Sequence, residues 1–244
     1  MIRKYVYLLL LFSGLLTTTL SWATPPTSKI IAISGGPAWY HAGQTQTIAL
    51  QPNFANTYSA ITPRHVLATG ELFLGLQRSL SQIGMAQLGL ALAGSTAAQA
   101  QGDIWETADP AFDNFTYQYR ITHAHVGIKT KWLFDHWRTL LFPYVSASLG
   151  VAVNQASRFA MTPLIFEALP VAGFQNHQET ALTYTLGVGV HKIFDAHWQL
   201  GIGYEFEDWG RSSLGPAPGQ TNSSGLSLNH LETQQLQFTI NYTI

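Results

Sequence analysis

The sequence predicts an all-β fold: an eight-stranded antiparallel up-and-down transmembrane β-barrel preceded by a cleavable signal peptide. Three observations predict this fold. Apolar and polar residues alternate in the last segment of the chain, only 10% of all residues are charged, and the connections between extended segments are alternately short and long.

The C-terminal segment shows the alternation most clearly. Successive side chains of a strand point to opposite faces, so an alternating segment has one apolar and one polar face. The apolar face here carries Leu236, Phe238, Ile240, Tyr242 and Ile244, and the polar face carries Gln237, Thr239, Asn241 and Thr243. Because the polar face is built from Gln, Thr and Asn instead of Lys and Glu, it predicts a crowded polar interior and not a surface in bulk water.

Eight extended segments are predicted along the chain. They are Lys29–Tyr40, Arg64–Arg78, Met85–Ala97, Phe115–Lys131, Leu140–Asn154, Gln178–Ile193, His197–Trp209 and Leu231–Ile244. The connections after the second, fourth and sixth segments are short, and the others are long and rich in Asn, Gln, Pro, Gly and Ser. Short turns at one rim and long loops at the other are typical of outer-membrane barrels, whose turns lie in the periplasm.

Two predicted strands depart from simple alternation. Gly35, Gly36 and Pro37 interrupt the first, whose apolar run from Ile30 to Ile33 does not alternate. The apolar residues of the fourth change face halfway along it: first Tyr117, Tyr119 and Ile121, then Ala124, Val126 and Ile128. Since an extra residue reverses the faces that follow it, we expect a β-bulge near Thr122 or His123.

The first 23 residues have the organisation of a secretory signal peptide. Arg3 and Lys4 precede an apolar run, and Ser21-Trp22-Ala23 supplies small residues at the two positions that signal peptidase reads. The apolar run of about a dozen residues is shorter than the roughly 20 needed to span a bilayer as a helix. We therefore expect residues 1–23 to be removed and residues 24–244 to form the barrel domain in the cell outer membrane.

Composition excludes several classes of protein. There is no Cys, so neither a disulfide framework nor a lipidated Cys is available. No later segment approaches the roughly 18 consecutive apolar residues of a membrane helix. Beyond the predicted signal peptide, the sequence contains 10 Lys and Arg and 13 Asp and Glu, and its basic residues form no cluster. This composition argues against a nucleic-acid partner.

Aromatic residues are predicted to form two belts at the two membrane interfaces. The strand directions place them at the strand ends, where amphipathic rings meet the lipid headgroups. The predicted interface residues are Trp39, Trp132, Phe142, Tyr144, Trp198, Trp209 and Tyr242.

Charged residues on the predicted inward faces indicate a filled lumen. An eight-stranded barrel encloses little more than its own side chains, and buried charges need partners. The predicted lumen charges are Glu71, Arg120, Lys129, Glu205 and Glu207. The rival architecture is a soluble lipocalin-like barrel with its apolar faces inward. We favour the membrane barrel because polar faces of Gly, Ser, Thr and Gln suit a narrow lumen and are poor at keeping a protein soluble.

The stretch 186–214, LGVGVHKIFDAHWQLGIGYEFEDWGRSSL, resembles the small outer-membrane β-barrel domain family, the opacity-type surface proteins of Gram-negative bacteria. The segment Gly201–Gly210 is similar to that family's penultimate strand as it enters the last loop. Members typically end in an aromatic residue, whereas this chain ends in Ile244. The resemblance implies a surface-exposed barrel involved in adhesion, envelope integrity or passage of small solutes.

Chemically reactive residue patterns are sparse. His123 and His125 share a strand face and are suited to clamping a metal, but no third ligand is evident, and we expect neither a metal nor another cofactor. There is no G-x-S-x-G nucleophile motif, and no catalytic residues are assigned.

The predicted function is that of an outer-membrane surface or structural protein with long extracellular loops, acting in adhesion or envelope integrity. A narrow porin-like channel is the alternative, and a lipid-modifying enzyme is less favoured. Expected partners are outer-membrane lipid and lipopolysaccharide, periplasmic chaperones and the barrel-assembly machinery, and a host or surface partner contacted through loops 98–114 and 156–177. Whether the apolar loop 156–177 caps the lumen separates a surface role from transport.

Overall fold

The computed structural model describes residues 27–52, 54–80, 84–135, 141–166, 173–220 and 225–244. The predicted signal peptide, residues 1–23, lies outside these ranges. Strands account for most of the described chain. None of the helical segments in these ranges is long and apolar enough to cross a membrane.

The described chain forms strands of very different lengths and two short 3-10 turns, at Glu106–Ala108 and Pro110–Phe112. In chain order the strands are β1 (Thr27–Tyr40), β2 (Gln46–Gln51), β3 (Phe54–Ile61), β4 (His65–Ser79), β5 (Gly84–Ser95), β6 (Ala98–Trp105), β7 (Asp113–Phe134), β8 (Leu141–Pro163), β9 (His177–Ile193), β10 (Trp198–Asp208), β11 (Ser212–Ser213), β12 (Ser227–Leu228) and β13 (Glu232–Thr243).

Eight of these strands close into a barrel. Each pairs antiparallel with both neighbours in the ring β1, β4, β5, β7, β8, β9, β10 and β13, and β13 pairs with β1 to complete it. Ring neighbours follow one another along the chain, which is the up-and-down order. Because the ring is closed, none of its eight strands is an open edge strand. The predicted eight-stranded antiparallel barrel is confirmed.

The wall is apolar outside and polar inside. In β13 the side chains of Gln235, Gln237, Thr239 and Asn241 are buried, whereas Phe238 and Ile240 are exposed. The other ring strands expose a band of apolar side chains that includes Leu74, Leu90, Val126, Leu149, Leu186 and Leu200. A soluble lipocalin-like barrel would show the opposite arrangement, so the predicted polarity is confirmed.

The first strand alternates more regularly than its sequence indicates. Ile31 and Ile33 face outward, whereas Ile30 and Ala32 face inward. The two inward side chains pack with Phe73 of β4 and Ala91 of β5 in a small apolar cluster inside the barrel. The run 30–33 therefore fails to alternate in hydropathy because its inner face contacts another apolar group.

The bulge expected near Thr122 or His123 is not there. β7 keeps one alternation from Phe115 to Leu133, with every odd-numbered residue buried in this range. The register shift lies instead in β8, where Gln118 pairs with Ala160 and Arg120 with Ser157, leaving Arg158 and Phe159 opposite one residue. Arg158 has a positive φ of 57°, and its N–H donates to the Asn176 side chain over 3.0 Å.

Much of what the sequence indicated as long loops is strand. β6 falls within predicted loop 98–114 and pairs with the first part of β7, and β8 extends through Pro163 into predicted loop 156–177. The hairpin of β2 and β3 joins the free side of β6. The polar composition of these connecting segments predicts loops. It does not show that the segments pair with strands distant in sequence. The resulting sheet stands on the rim of the barrel that carries the long connections, here called the loop rim.

The opposite rim carries the short turns and is called the turn rim. Between β9 and β10, the Asp195 carboxylate accepts hydrogen bonds from the N–H groups of His197 and Trp198, both over 2.8 Å. Between β4 and β5, the Leu80 N–H donates to the Gly84 carbonyl, and Gly84 has a φ of 134° that favours glycine.

Candidate functional site in the barrel lumen

Polar and apolar side chains fill the lumen between the two rims in successive layers, and one of the inner layers is an ion network. The Lys129 ammonium donates to both carboxylate oxygens of Glu71, over 2.9 and 2.8 Å, and to Glu205 over 2.7 Å. Gln235 donates to the other oxygen of Glu205 over 3.0 Å. Lys129 is only 1% exposed. These contacts join β4, β7, β10 and β13 across the barrel, and they are here called the lumen network.

The layer nearest the turn rim combines a second lysine with aromatic rings. Lys131 Nζ lies 3.4 Å from His191 Nε2 and 4.6 Å from the ring centroid of Tyr144. The Tyr144 and His191 rings meet edge to face with centroids 4.7 Å apart. His191 Nδ1 contacts the Asn241 amide over 2.9 Å. An ammonium over a ring face is attracted by the ring quadrupole, so Tyr144 is part of the environment of the buried Lys131.

The layer on the loop-rim side of the lumen network brings together His123 and His125 of β7 and Glu207 of β10, here called the histidine cluster. Glu207 Oε1 lies 3.2 Å from His123 Nε2 and 3.0 Å from His125 Nδ1. The two imidazole nitrogens are 3.0 Å apart. All three residues are buried. Glu207 is thus the third potential metal ligand that was not evident from the sequence.

The layer at the loop rim is an apolar cover, here called the mouth core. It includes Tyr40, Tyr58, Ile104, Tyr117, Phe174, Trp209, Leu214, Leu226 and Leu231. The Phe174 ring packs 5.3 Å from Tyr58 and 5.1 Å from Phe159, measured between centroids. Burial raises the pKa of the Tyr58 hydroxyl, because the phenolate would lack solvation.

Loop 156–177 therefore covers the lumen with part of its residues. Phe174 belongs to the mouth core, and Phe159 and Met161 pack against it. Leu164, Ile165 and Phe166 are exposed, and the Phe166 side chain is 99% exposed. Residues 167–172 of this loop lie outside the described ranges. The connection between β10 and β13 contributes Leu214 and Leu226 to the cover, a role that its polar composition did not indicate.

The structure brings four of the five predicted lumen charges inside the barrel. Glu71, Lys129, Glu205 and Glu207 are buried, whereas Arg120 is exposed on the outer face. The prediction for Arg120 is wrong because it assumed a change of face within β7. Lys131 was missed, although it lies two residues after Lys129 and so shares its inward face.

The predicted interface aromatics divide into two groups. Trp39, Trp132, Trp198 and Tyr242 lie on the outer face, and their role at a membrane interface stays a prediction. Trp198 and Tyr242 contact each other with centroids 4.9 Å apart.

The other predicted interface aromatics lie on the lumen-facing side. The predictions for Tyr144 and Trp209 are wrong: both are buried, Tyr144 in the lumen and Trp209 in the mouth core. Phe142 is half-buried and pairs with the inward-facing His191 in the ladder. Tyr144 shares its face with Ser146, and Trp209 continues the face of Glu205 and Glu207. The position of Phe142, Tyr144 and Trp209 near strand ends predicts a place at the membrane interface, but strand alternation directs their side chains inward.

Comparison with protein-family models and with curated protein sequences finds no match. Among solved structures, the chain is similar to Neisserial surface protein A, with 9% identity over 90% of this chain and 99% of the other and a TM-score of 0.46. It is similar to the outer membrane protease OmpT of Escherichia coli, with 9% identity, 93% and 100% coverage, and a TM-score of 0.48. The corresponding values for the outer membrane protein OprG of Pseudomonas aeruginosa are 11% identity, 90% and 98% coverage, and a TM-score of 0.44.

Scores at this level carry no argument about activity or partners. The assignment of the fold depends on the chain's own strand order and on the polarity of its wall. By these two features the chain is an outer-membrane-type β-barrel with eight strands and a filled lumen.

Proposed function

We propose that this chain is a non-conducting, non-catalytic surface protein of the outer membrane, whose barrel anchors an extracellular β-sheet that contacts a surface partner. The observation that carries the proposal is the double obstruction of the lumen by the lumen network and the mouth core. The proposed orientation places the turn rim in the periplasm and the loop rim outside the cell.

The obstruction argues against the narrow porin-like channel. A conducting pore needs a continuous path for hydrated ions, and an eight-stranded barrel has little space beyond its own side chains. The cavity lined by Glu71, His123, His125, Glu205 and Glu207 measures about 10 Å³. That is room for about one water molecule. Opening a path through the lumen network would also require separating Lys129 from two buried carboxylates.

The sheet beyond the barrel supports a role at the cell surface. It consists of β2, β3, β6 and the loop-rim ends of β7 and β8. Its far end exposes Phe112, Leu164, Ile165 and Phe166. Exposed apolar side chains grouped at the end of a rigid scaffold are suited to binding another surface. Both predicted contact segments, 98–114 and 156–177, contribute strand residues to this sheet, through β6 and through the end of β8.

The expected lipid and assembly partners follow from the proposed location of the barrel in the outer membrane. The outer apolar band contacts outer-membrane lipid and, in the outer leaflet, lipopolysaccharide. Periplasmic chaperones and the barrel-assembly machinery deliver and insert the chain, and the signal peptide of residues 1–23 directs its export.

Planar-bilayer recording tests the absence of conduction. The purified barrel is expected to give no discrete current steps. A porin of 16 strands, whose barrel leaves an aqueous channel, is recorded in the same bilayers as the positive control. Discrete steps from the unaltered chain would refute the closed lumen.

A binding assay tests the surface role. Cells displaying the protein are compared with cells displaying a variant in which Phe112 and Phe166 are replaced by Ser, using adhesion to epithelial cells and to abiotic surfaces as the readout. A matched control replaces the outward-facing turn-rim residue Phe134 by Ser. Loss of adhesion only in the first variant supports the proposal, and equal adhesion of all three proteins contradicts it.

A further inference from the structure

The histidine cluster has the geometry of a set of metal ligands. Its three atoms, His123 Nε2, His125 Nδ1 and Glu207 Oε1, form a triangle with sides of 3.0, 3.0 and 3.2 Å. Zinc binds imidazole nitrogen and carboxylate oxygen at about 2.0–2.2 Å, so neighbouring ligands of a tetrahedral site lie about 3.3–3.5 Å apart. A shift of a few tenths of an ångström brings the three atoms to that spacing.

A neighbouring amide fixes the orientation of the His123 ring. The Asn154 amide nitrogen donates to the carbonyl oxygens of Trp209 and Arg211, over 2.8 and 2.7 Å. Its oxygen must therefore face His123 Nδ1, 2.7 Å away, and accept a hydrogen bond from it. Nε2 is then the ring nitrogen that faces His125 and Glu207. Metal-binding histidines are oriented by this kind of hydrogen bond on the other ring nitrogen.

The buried carboxylate of Glu207 has both imidazoles of the cluster within 3.0–3.2 Å. Lys129 is held by Glu71 and Glu205 and is not among the contacts of Glu207. The buried carboxylate of Glu207 thus needs a positive charge at this point, because burying an unpaired charge is costly.

The surroundings leave space for one further ligand. The cavity of about 10 Å³ next to the cluster is lined by His123, His125 and Glu207 together with Gln235 and Gln237. It has room for about one water molecule, which is the usual fourth ligand when zinc has three protein ligands.

We propose that His123, His125 and Glu207 bind a Zn²⁺ ion that links β7 to β10 across the lumen. Two imidazoles and one carboxylate are a donor set that zinc takes with a water molecule as its fourth ligand, whereas Mg²⁺ and Ca²⁺ prefer sites built from oxygen alone. The ion supplies a positive charge beside the buried carboxylate of Glu207. Asn154 is a positioning residue, since it acts through the ring of His123. This inference is independent of the proposed surface role.

Metal retention is the first test. The untagged chain is refolded from urea into detergent micelles with ZnSO₄, separated from free metal by gel filtration, and analysed for zinc by atomic emission. We expect about one equivalent in the unaltered protein and at least a tenfold loss in H125Q and in E207Q. The matched control is H191Q, which removes a buried lumen histidine outside the cluster and is expected to keep its zinc. Heat-modifiable mobility on SDS gels shows which variants have folded.

Two further measurements use the unaltered protein and do not depend on the folding of any variant. Co²⁺ in place of Zn²⁺ is expected to give the intense visible absorption of a four-coordinate site, and ZnSO₄ is expected to raise the thermal unfolding midpoint relative to EDTA, because the ion binds only the folded state.

Replacing Asn154 by Ala is expected to weaken zinc binding about 10–100-fold. An unaltered chain that retains no zinc, gives no such absorption and shows no shift would overturn the proposal, leaving a histidine–carboxylate ion pair alone.

Discussion

The Tyr144 side chain occupies the space beside Gly203, where any residue larger than glycine at position 203 would place its Cβ atom. A Cβ atom built on Gly203 overlaps the Tyr144 hydroxyl oxygen and lies 2.8 Å from the Val188 carbonyl oxygen. The glycine is required here by close approach, because the lumen at this level already holds a full tyrosine ring against His191.

Replacing Gly203 by Ala is therefore expected to destabilise the barrel by about 1–3 kcal/mol, the usual cost of overpacking a filled interior. Urea unfolding in detergent micelles, followed by tryptophan fluorescence, measures the change. Adding Tyr144→Phe removes the overlapping oxygen, so the double variant should recover part of the loss. Gly70→Ala is the control, since its Cβ would lie 4.0 Å from its nearest neighbour. Equal unfolding midpoints for G203A and G70A would contradict the steric explanation.

Removing the central ammonium group tests the lumen network. Lys129→Met leaves the buried carboxylates of Glu71 and Glu205 close together without their cation, and breaking a buried pair in this way costs about 3–5 kcal/mol. The loss should appear as a lower midpoint in urea. Lys29→Met, which removes an exposed lysine on β1, is the matched control. If both variants unfold at the same denaturant concentration, the network does not stabilise the barrel.

The bulge in β8 predicts a stabilising substitution. Arg158 has a φ of 57°, and the left-handed region costs a non-glycine residue about 1–2 kcal/mol. Glycine removes that strain, but its greater conformational freedom in the unfolded chain costs about 0.5–1 kcal/mol of stability, so Arg158→Gly should gain about 0–1.5 kcal/mol net. Arg158→Ala keeps the Cβ atom and should not gain. A thermal midpoint no higher for the glycine variant than for the alanine variant would argue against backbone strain at this position.

The turn between β9 and β10 predicts a pH dependence. Hydrogen bonds from the His197 and Trp198 N–H groups lower the pKa of Asp195 below its ordinary value. The ionised Asp195 carboxylate therefore stabilises the folded state. This stabilisation is fully present at pH values above the unfolded-state pKa and is lost as the pH falls through the lower folded-state pKa. Asp195→Ala should thus be less stable than the unaltered protein at pH 7, and the gap should close in acid. A gap that is constant from neutral to acidic pH would exclude the titration of Asp195 as its source.

Strand alternation and connection length were sufficient to predict the barrel. The face of each residue in β10 and β13 follows from its position in sequence alone, because a strand reverses face at every step. The same rule places Tyr144 and Trp209 inside, whereas their proximity to a strand end predicts the membrane interface. In β7, Tyr117 and Tyr119 look like lipid-facing residues by hydropathy. They face inward because at that level the barrel is filled by the mouth core, which hydropathy within one strand does not reveal.

The sequence by itself determined the membrane-type barrel, its eight strands and the inward position of Glu71, Lys129, Glu205 and Glu207, because these depend on local alternation and on the low content of charge. Only the tertiary structure decided that β6 extends the barrel wall, that Leu214, Leu226 and Phe174 close the mouth, and that Glu207 meets His123 and His125. These contacts join residues far apart in the chain, and they depend on how the closed ring brings strands face to face across the lumen.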